Sequence, residues 1–124
     1  MTLRNEESLL APETALVSYG TLAPGESNNW KVRPLGGDWM EGTVRGWIFE
    51  ITWGALVGYP GIALDDDAPP APVKVLVSAE LAKNWDRLDD FEGDGYRRAS
   101  TIVTLADHST FTATVYEALT DNDD

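Results

Sequence analysis

Apolar residues recur at helical spacing in the segment that follows Ser78. Leu81, Trp85 and Leu88 are separated by four and three positions, a spacing that places them on one face of a helix. Ser78 is a suitable N-cap residue, so the pattern predicts a helix from Ala79 to Phe91. Because the stripe is apolar, this face of the helix is expected to be buried.

The rest of the chain is dominated by short runs of β-branched and aromatic residues bounded by turn residues, a pattern typical of strands. Glycines interrupt the longest of these runs and indicate bends or bulges there. The last two runs are separated by a polar turn and are expected to pair as an antiparallel hairpin. The predicted strands are Ala15–Tyr19, bent strands between Trp39 and Trp53, Val73–Val77, Arg97–Leu105 and Phe111–Ala118.

About six or seven strands with one main helix indicate an α+β fold, namely a small, mixed and strongly bent β-sheet or barrel. A doubly wound parallel sheet is disfavoured because a single helix cannot cover both of its faces. Gly58–Gly61 is predicted to be a turn, and Asp65–Pro72 an exposed loop. We expect a flexible N-terminal segment over residues 1–13, a single domain over 14–119 and an acidic tail over 120–124.

Composition narrows the class of protein. The 124 residues suffice for one domain with a hydrophobic core. Nine Lys and Arg against 21 Asp and Glu give a formal net charge of −12, so we expect neither a nucleic-acid nor a membrane partner. The absence of cysteine excludes disulfides, a thiolate nucleophile and a cysteine zinc site. Without a signal-peptide pattern or a long apolar run, the protein is expected to be soluble and cytoplasmic.

The predicted helix ends in an unexpected carboxylate. Glu92 lies four positions after Leu88 and seven after Trp85, so at about 100° per residue its side chain continues the apolar stripe. Helix C-termini favour basic residues, yet this last turn also holds Asp89 and Asp90. A carboxylate in such surroundings is expected to have a raised pKa, which suits a general acid/base. On spacing alone, the alternative is that the helical phase slips near the end and Glu92 is solvated.

A glycine-containing loop follows the first predicted strand. Residues Tyr19 to Leu22 read Tyr-Gly-Thr-Leu, and Gly25 and Asn28 come after them. Glycine lets the backbone approach a ligand closely, and successive N–H groups can then form an anion-binding nest. The loop lacks the Gly-Lys-Ser/Thr ending of a phosphate-binding loop, and it could instead hold a carboxylate. The alternative is a plain turn beside a core tyrosine.

Together, these two motifs resemble those of the γ-glutamylcyclotransferase-like family, in its AIG2-like, γ-glutamylamine cyclotransferase branch. The first is Tyr-Gly-Thr-Leu-x-x-Gly-x-x-Asn from Tyr19 to Asn28, and the second is Leu-Asp-x-Phe-Glu-Gly-x-x-Tyr-x-Arg from Leu88 to Arg98. The resemblance covers about Leu16 to Ala118. Segments that resemble the family's middle strand, Tyr-Pro turn and closing strand are Gly46–Phe49, Gly58–Gly61 and Ala113–Tyr116.

The resemblance implies a compact β-barrel with flanking helices. It also implies an enzyme that releases 5-oxoproline and a free amine from a small-molecule partner, a γ-glutamyl amine or γ-glutamyl amino acid, without cofactor or metal. In this reading Glu92 is the general acid/base. The resemblance therefore favours a functional Glu92 over a solvated one, and a binding loop over a plain turn. The implied substrate-binding residues are Tyr19, Gly20, Thr21, Leu22, Tyr96 and Tyr116.

Two segments depart from the family pattern. Val73–Ser78 lacks the glycine of the relatives' Val-x-Gly-x-Val-Tyr strand, which alters one wall of the implied pocket, and the acidic Asp65–Pro72 loop is unusual.

The alternative function is a non-catalytic domain that binds a small carboxylate or amino-acid-like ligand in the same pocket. His108 is not expected to form a catalytic triad, because its turn is exposed and no nucleophile is placed beside it. The particular γ-glutamyl compound and the oligomeric state do not follow from the sequence.

Overall fold

Six β-strands and one α-helix make up the described part of the chain. The structure is a computed structural model, which describes residues 10–20, 22–52, 57–93 and 95–118. The strands are β1 (Ala15–Ser18), β2 (Asp38–Glu50), β3 (Pro60–Leu64), β4 (Pro70–Val77), β5 (Tyr96–Thr104) and β6 (Thr110–Ala118), and the helix is α1 (Trp85–Glu92). Short 3₁₀ helices lie at Pro12–Thr14, Asn29–Lys31, Arg33–Leu35 and Ala79–Lys83.

The strands form a closed, mixed β-barrel. Hydrogen bonding follows the order β3-β2-β4-β1-β6-β5, and β2 also pairs with β5 through Thr43 and Thr104. Five strands therefore close on themselves, while β3 extends the sheet beside the C-terminal part of β2. Strands β1 and β6 run parallel, and the other pairs run antiparallel. The predicted α+β fold, a bent mixed sheet or barrel with one main helix, is confirmed.

Gly42 allows the barrel to close between β2 and β5. A Cβ atom at this position would lie 2.7 Å from Cγ1 of Val103 and 2.9 Å from the carbonyl oxygen of Thr104. These separations are shorter than the contact distance of carbon atoms, so any side chain at Gly42 would push the two strands apart. A glycine within the longest apolar run thus lies at the seam of the barrel.

The helical segment after β4 is divided in two. Ala79–Lys83 is a 3₁₀ helix, and α1 begins only at Trp85. Asn84 separates them with φ −123° and ψ 9°, and its side-chain amide donates a hydrogen bond to the carbonyl of Glu80. The prediction of one continuous helix is therefore wrong, because an asparagine bonded to its own backbone neighbours leaves the helical conformation.

The N-cap and the apolar stripe predicted for this segment are confirmed. Oγ of Ser78 accepts a hydrogen bond from the N–H of Glu80. Leu81, Trp85 and Leu88 are only 0%, 8% and 2% exposed. The helical segment therefore packs its apolar face against the barrel, and the end of α1 is held in place.

Two predictions about loops need correction. Only the first half of Gly58–Gly61 lies in a turn, because Pro60 and Gly61 begin β3, a strand that the sequence pattern missed. Asp65–Pro72 is not entirely an exposed loop, since Ala68 is buried and Pro70 to Pro72 belong to β4. Prolines two positions apart have their missing N–H groups on the same side of a strand, so the other side remains able to pair.

Two apolar clusters form the core. The first fills the barrel and contains Ala15, Val17, Val44, Ile62, Val73, Val75, Val77, Val103, Ala113 and Val115. The second lies on the opposite face of β1, β4 and β6 and joins them to the helical segments; it contains Leu16, Val32, Leu35, Leu76, Leu81, Trp85, Leu88 and Tyr116. Within the described residues, no helix is both long and apolar enough to span a bilayer.

Candidate functional site

A cavity of about 290 Å³ lies where the loop after β1 meets the C-terminal end of α1. This volume is at the small end of the range of roughly 300–1,000 Å³ for ligand pockets, so the cavity suits a small molecule. The described residues that line it are Val17, Ser18, Tyr19, Gly20, Leu22, Asn28, Lys31, Tyr59, Pro60, Phe91, Glu92, Tyr96 and Tyr116.

Glu92 is the last residue of α1, and it lines the cavity. Gly93, with φ 78°, ends the helix and donates its N–H to the carbonyl of Asp89. Burial raises the pKa of Glu92 above its ordinary value, and the nearby Lys31 ammonium opposes this increase. A carboxyl group of raised pKa in a cavity is suited to accept and return a proton near neutral pH.

The neighbouring acid Asp89 has its charge compensated. Its Oδ1 accepts a 2.7 Å hydrogen bond from the hydroxyl of Tyr116 and lies 2.9 Å from Nε of Arg98. The guanidinium of Arg98 also stacks 5.3 Å from the ring centroid of Trp85. Asp89 therefore fixes the end of α1 to β5 and β6. Glu92 is the one acid among the described residues that line the cavity.

Three tyrosines hold the walls of the cavity together. The hydroxyl of Tyr19 donates to the carbonyl of Tyr116 at 2.6 Å, and that of Tyr96 donates to the carbonyl of Pro60 at 2.7 Å. Burial, with the charge of Glu92, raises the pKa of Tyr96 to about 12. Burial also raises the pKa of Tyr19 and of Tyr116. All three phenols therefore stay protonated at neutral pH and act as hydrogen-bond donors.

Gly20 is needed for close packing against Pro60. A Cβ atom at Gly20 would lie 2.6 Å from Cγ of Pro60. Gly20 is not among the described glycines with positive φ, so the reason for glycine here is the close approach. The loop backbone, rather than a side chain, thus forms this part of the cavity wall.

The structure brings most of the predicted site residues to one cavity. Glu92 and five of the predicted binding residues, Tyr19, Gly20, Leu22, Tyr96 and Tyr116, line it. Thr21, the sixth, lies outside the described residues. His108 is exposed in the turn between β5 and β6, away from the cavity. Among the described residues, no group of three or more His, Asp or Glu side chains could hold a metal ion.

Sequence reasoning missed several cavity residues, of which Ser18 and Lys31 are polar and informative. Ser18 ends the otherwise apolar strand β1, and Lys31 is one of only nine basic residues in an acidic chain. Those contrasts could have drawn attention to both. Oγ of Ser18 is buried without a hydrogen-bond partner among the described residues, an arrangement that is uncommon in native structures.

We expect Ser18→Ala to leave the free energy of unfolding unchanged or to raise it by up to about 1 kcal/mol, because it removes a buried hydroxyl that has no partner. The matched control is Ser78→Ala. Oγ of Ser78 donates to the carbonyl of Leu35 at 2.9 Å and caps the 3₁₀ helix, so its loss should cost about 1–2 kcal/mol. Urea unfolding of both variants measures the difference, and an equal loss of stability in both would show that the Ser18 hydroxyl does have a hydrogen-bond partner.

Comparison with known proteins identifies relatives of the fold. An AIG2-like protein of Mus musculus superposes with a TM-score of 0.66 at 17% identity, over 90% of this chain and 82% of the mouse chain. YkqA from Bacillus subtilis superposes with a TM-score of 0.64 at 23% identity, over 85% of this chain. The chain spans only 35% of the length of YkqA. A gamma-glutamyl cyclotransferase gives 0.58 at 14% identity, over 86% of this chain and 66% of the other. At such identities these likenesses show the fold alone.

Sequence comparison assigns the family. No curated protein matches the chain significantly. The family model described as gamma-glutamyl cyclotransferase, AIG2-like, matches residues 16–124, which include both motifs and every described residue of the cavity wall. The chain therefore belongs to the AIG2-like gamma-glutamyl cyclotransferase family.

Proposed function

We propose that this protein catalyses the intramolecular cyclisation of a γ-glutamyl compound, releasing 5-oxoproline and a free amine. The observation that carries the proposal is that Glu92, with a raised pKa, lines the same small cavity as the Gly20 loop. Family membership supports the reaction class. One acid beside an enclosing wall offers the two things that this reaction needs, a proton carrier and substrate positioning.

The reaction needs no nucleophile from the enzyme. The substrate's own α-amine attacks its γ-carbonyl carbon, a five-membered ring closes, and the bond from that carbon to the leaving nitrogen breaks. The enzyme must hold the substrate in a bent conformation, and orientation of this kind can supply roughly 7–11 kcal/mol of the barrier. The enclosing wall formed by Tyr19, Tyr96 and Tyr116 supports such positioning.

Proton transfer is the remaining task, and we assign it to Glu92. Its carboxylate accepts a proton as the α-ammonium becomes the attacking amine. The resulting carboxylic acid then donates that proton to the departing nitrogen. The ring nitrogen loses its second proton to the same carboxylate, which passes it to the released amine, so the amine leaves as an ammonium ion and the enzyme returns to its starting state. A raised pKa makes both steps accessible at neutral pH, because the acid and the base forms are closer in free energy.

The loop after β1 is assigned to substrate binding. Backbone N–H groups from Gly20 to Leu22 hold the substrate α-carboxylate in the proposal, and this role is supported by the close packing that places the Gly20 backbone on the cavity wall. The same loop, or Thr21, stabilises the oxyanion that forms when the amine attacks. Tyr96 and Tyr116 line the wall beside Glu92.

The direct test is to incubate purified protein with a panel of γ-glutamyl amino acids and γ-glutamyl amines and to measure 5-oxoproline. Release of stoichiometric 5-oxoproline and free amine supports the proposal. If no member of the panel is turned over, but γ-glutamyl compounds raise the melting temperature of the protein, the site is a binding domain for such ligands and the proposed reaction is wrong.

The raised pKa of Glu92 predicts the acidic limb of the pH profile. The base form of Glu92 is required in the free enzyme, so kcat/KM should fall as the pH drops through its pKa. Because burial raises that pKa, the limb should lie above the ordinary glutamate value of about 4.3. Initial rates across a pH series measure it, and a limb at or below the ordinary value would contradict the assignment.

A further inference from the structure

Lys31 is the one basic side chain among the described residues that line the cavity. Its Nζ lies 5.9 Å from the ring centroid of Trp30 and 5.6 Å from that of Phe91. Aromatic faces attract an ammonium group but carry no net charge, so they position it without neutralising it. The charge of Lys31 is therefore available to a ligand.

No carboxylate of the described residues forms an ion pair with Lys31. Glu92 is close enough for the ammonium to lower its pKa, but burial of Glu92 has the larger effect. In a chain of net charge −12, a cation beside a cavity that forms no ion pair with any described residue is unexpected. Its position is favourable for an anionic group that enters from outside.

The backbone at Lys31 is also held in place. The residue ends the 3₁₀ helix Asn29–Lys31, and its carbonyl accepts a 3.5 Å hydrogen bond from Nη1 of Arg87. The guanidinium of Arg87 stacks 5.3 Å from the ring centroid of Phe91. Arg87 thus braces the turn that carries Lys31 against α1, the helix that ends in Glu92.

Lys31 is itself half-buried and lies beside an exposed residue. The ring of Trp30 beside it is 52% exposed, and that of Tyr59 is 47% exposed, whereas Tyr116 is 5% exposed. In the proposed function the glutamyl part of the substrate binds at the Gly20 loop. The leaving amine then extends towards the more exposed part of the cavity lining, to which the inference assigns Lys31.

We propose that Lys31 binds a carboxylate carried by the leaving group, so that the protein selects γ-glutamyl amino acids over neutral or cationic γ-glutamyl alkylamines. This inference rests on the proposed cyclotransferase function. The ammonium–carboxylate pair would form beside aromatic rings and partly out of water, which makes it stronger than an exposed pair.

The experiment compares three substrates with different charge on the leaving group, namely γ-glutamylglycine, γ-glutamylethylamide and γ-glutamylputrescine. Wild-type kcat/KM should be highest for γ-glutamylglycine. Lys31→Met should lower kcat/KM for γ-glutamylglycine about tenfold to a hundredfold more than it lowers kcat/KM for γ-glutamylethylamide. Lys31→Glu should shift the preference towards γ-glutamylputrescine.

Lys83→Met is the matched control, since it also removes one positive charge, but from an exposed position outside the cavity. It should leave the ratio of kcat/KM for γ-glutamylglycine to kcat/KM for γ-glutamylethylamide unchanged. Loss of Lys31 also changes the pKa of Glu92, but that effect is common to all substrates and cancels in the ratio. An equal loss on γ-glutamylglycine and γ-glutamylethylamide in Lys31→Met would overturn the inference.

Calorimetric binding separates failure of the inference from failure of the proposed function. If the wild type turns over none of the three compounds, the proposed reaction is wrong, and the role of Lys31 is decided by affinity. Weaker binding of γ-glutamylglycine to Lys31→Met, with unchanged binding of γ-glutamylethylamide, would still support a carboxylate site. Equal affinities of both compounds for the wild type and for Lys31→Met would exclude it.

Discussion

Replacing Glu92 with glutamine should reduce the rate of 5-oxoproline release by about 10²–10⁴-fold, the range typical for loss of a general acid/base. The amide has nearly the same shape but cannot carry the proton from the attacking amine to the departing nitrogen. Initial rates with a γ-glutamyl substrate measure the loss. Circular dichroism should show the same fold in the variant and the wild type.

Asp90→Asn is the matched control for Glu92→Gln, because it removes one charge from an exposed position in the same turn, outside the cavity. It should keep activity within about twofold.

Glu92 also has a raised pKa in the folded state, so its contribution to stability is present below its unfolded pKa and is lost as the pH rises through the folded pKa. Glu92→Gln should therefore be at least as stable as the wild type at neutral pH. Full activity in Glu92→Gln, or an equal loss in Asp90→Asn, would contradict the mechanism.

Gly20→Ala should lower kcat/KM by about 10²-fold, the effect expected from misplacing a substrate-binding wall by about 1 Å. The added Cβ would lie 2.6 Å from Cγ of Pro60, where ordinary contacts begin at 3.4 Å. Either the loop or Pro60 must therefore move. The ring of Pro60 cannot turn aside as a flexible side chain would, so the shift is transmitted to the backbone.

A double variant tests this explanation of Gly20. Pro60→Ala removes Cγ but keeps the carbonyl that accepts the hydrogen bond from Tyr96. Gly20→Ala combined with Pro60→Ala should therefore recover much of the activity that Gly20→Ala loses, and a double-mutant cycle quantifies the coupling. If the two losses simply add, the contact with Pro60 is not the reason for glycine at this position.

Local periodicity indicated an inward orientation for Glu92, and the family resemblance was needed to favour it over a solvated position. Trp85, Leu88 and Glu92 belong to one uninterrupted helix, so the spacing argument holds for them although the segment before Trp85 is a 3₁₀ helix. The apolar stripe continues across the break at Asn84. Leu81 closes a 3₁₀ turn that begins at Ser78, and this turn keeps the side chain of Leu81 buried against the barrel. The family resemblance then predicted that the glycine loop and Glu92 lie in the same pocket.

Contacts between distant parts of the chain could not be predicted in this way. Strand β3 is defined by its pairing with β2, and the five residues from Pro60 to Leu64 carry no periodic pattern of their own. The barrel closes through Thr43 and Thr104, which no local signal connects. The contact of Gly20 with Pro60 likewise depends on how the barrel places two loops.

The position of Tyr116 on β6 has a consequence for how this molecule can change. Its carbonyl anchors Tyr19 and its hydroxyl anchors Asp89, so one barrel strand holds both the glycine loop and the end of α1. Lys31 and Tyr59, by contrast, lie outside the strands. Under the proposed function, the helix end that moves protons is held by a barrel strand, whereas the groups that meet the variable end of the substrate lie on turns outside the strands. Evolution can therefore exchange the second set to adopt new amines while the first stays constant.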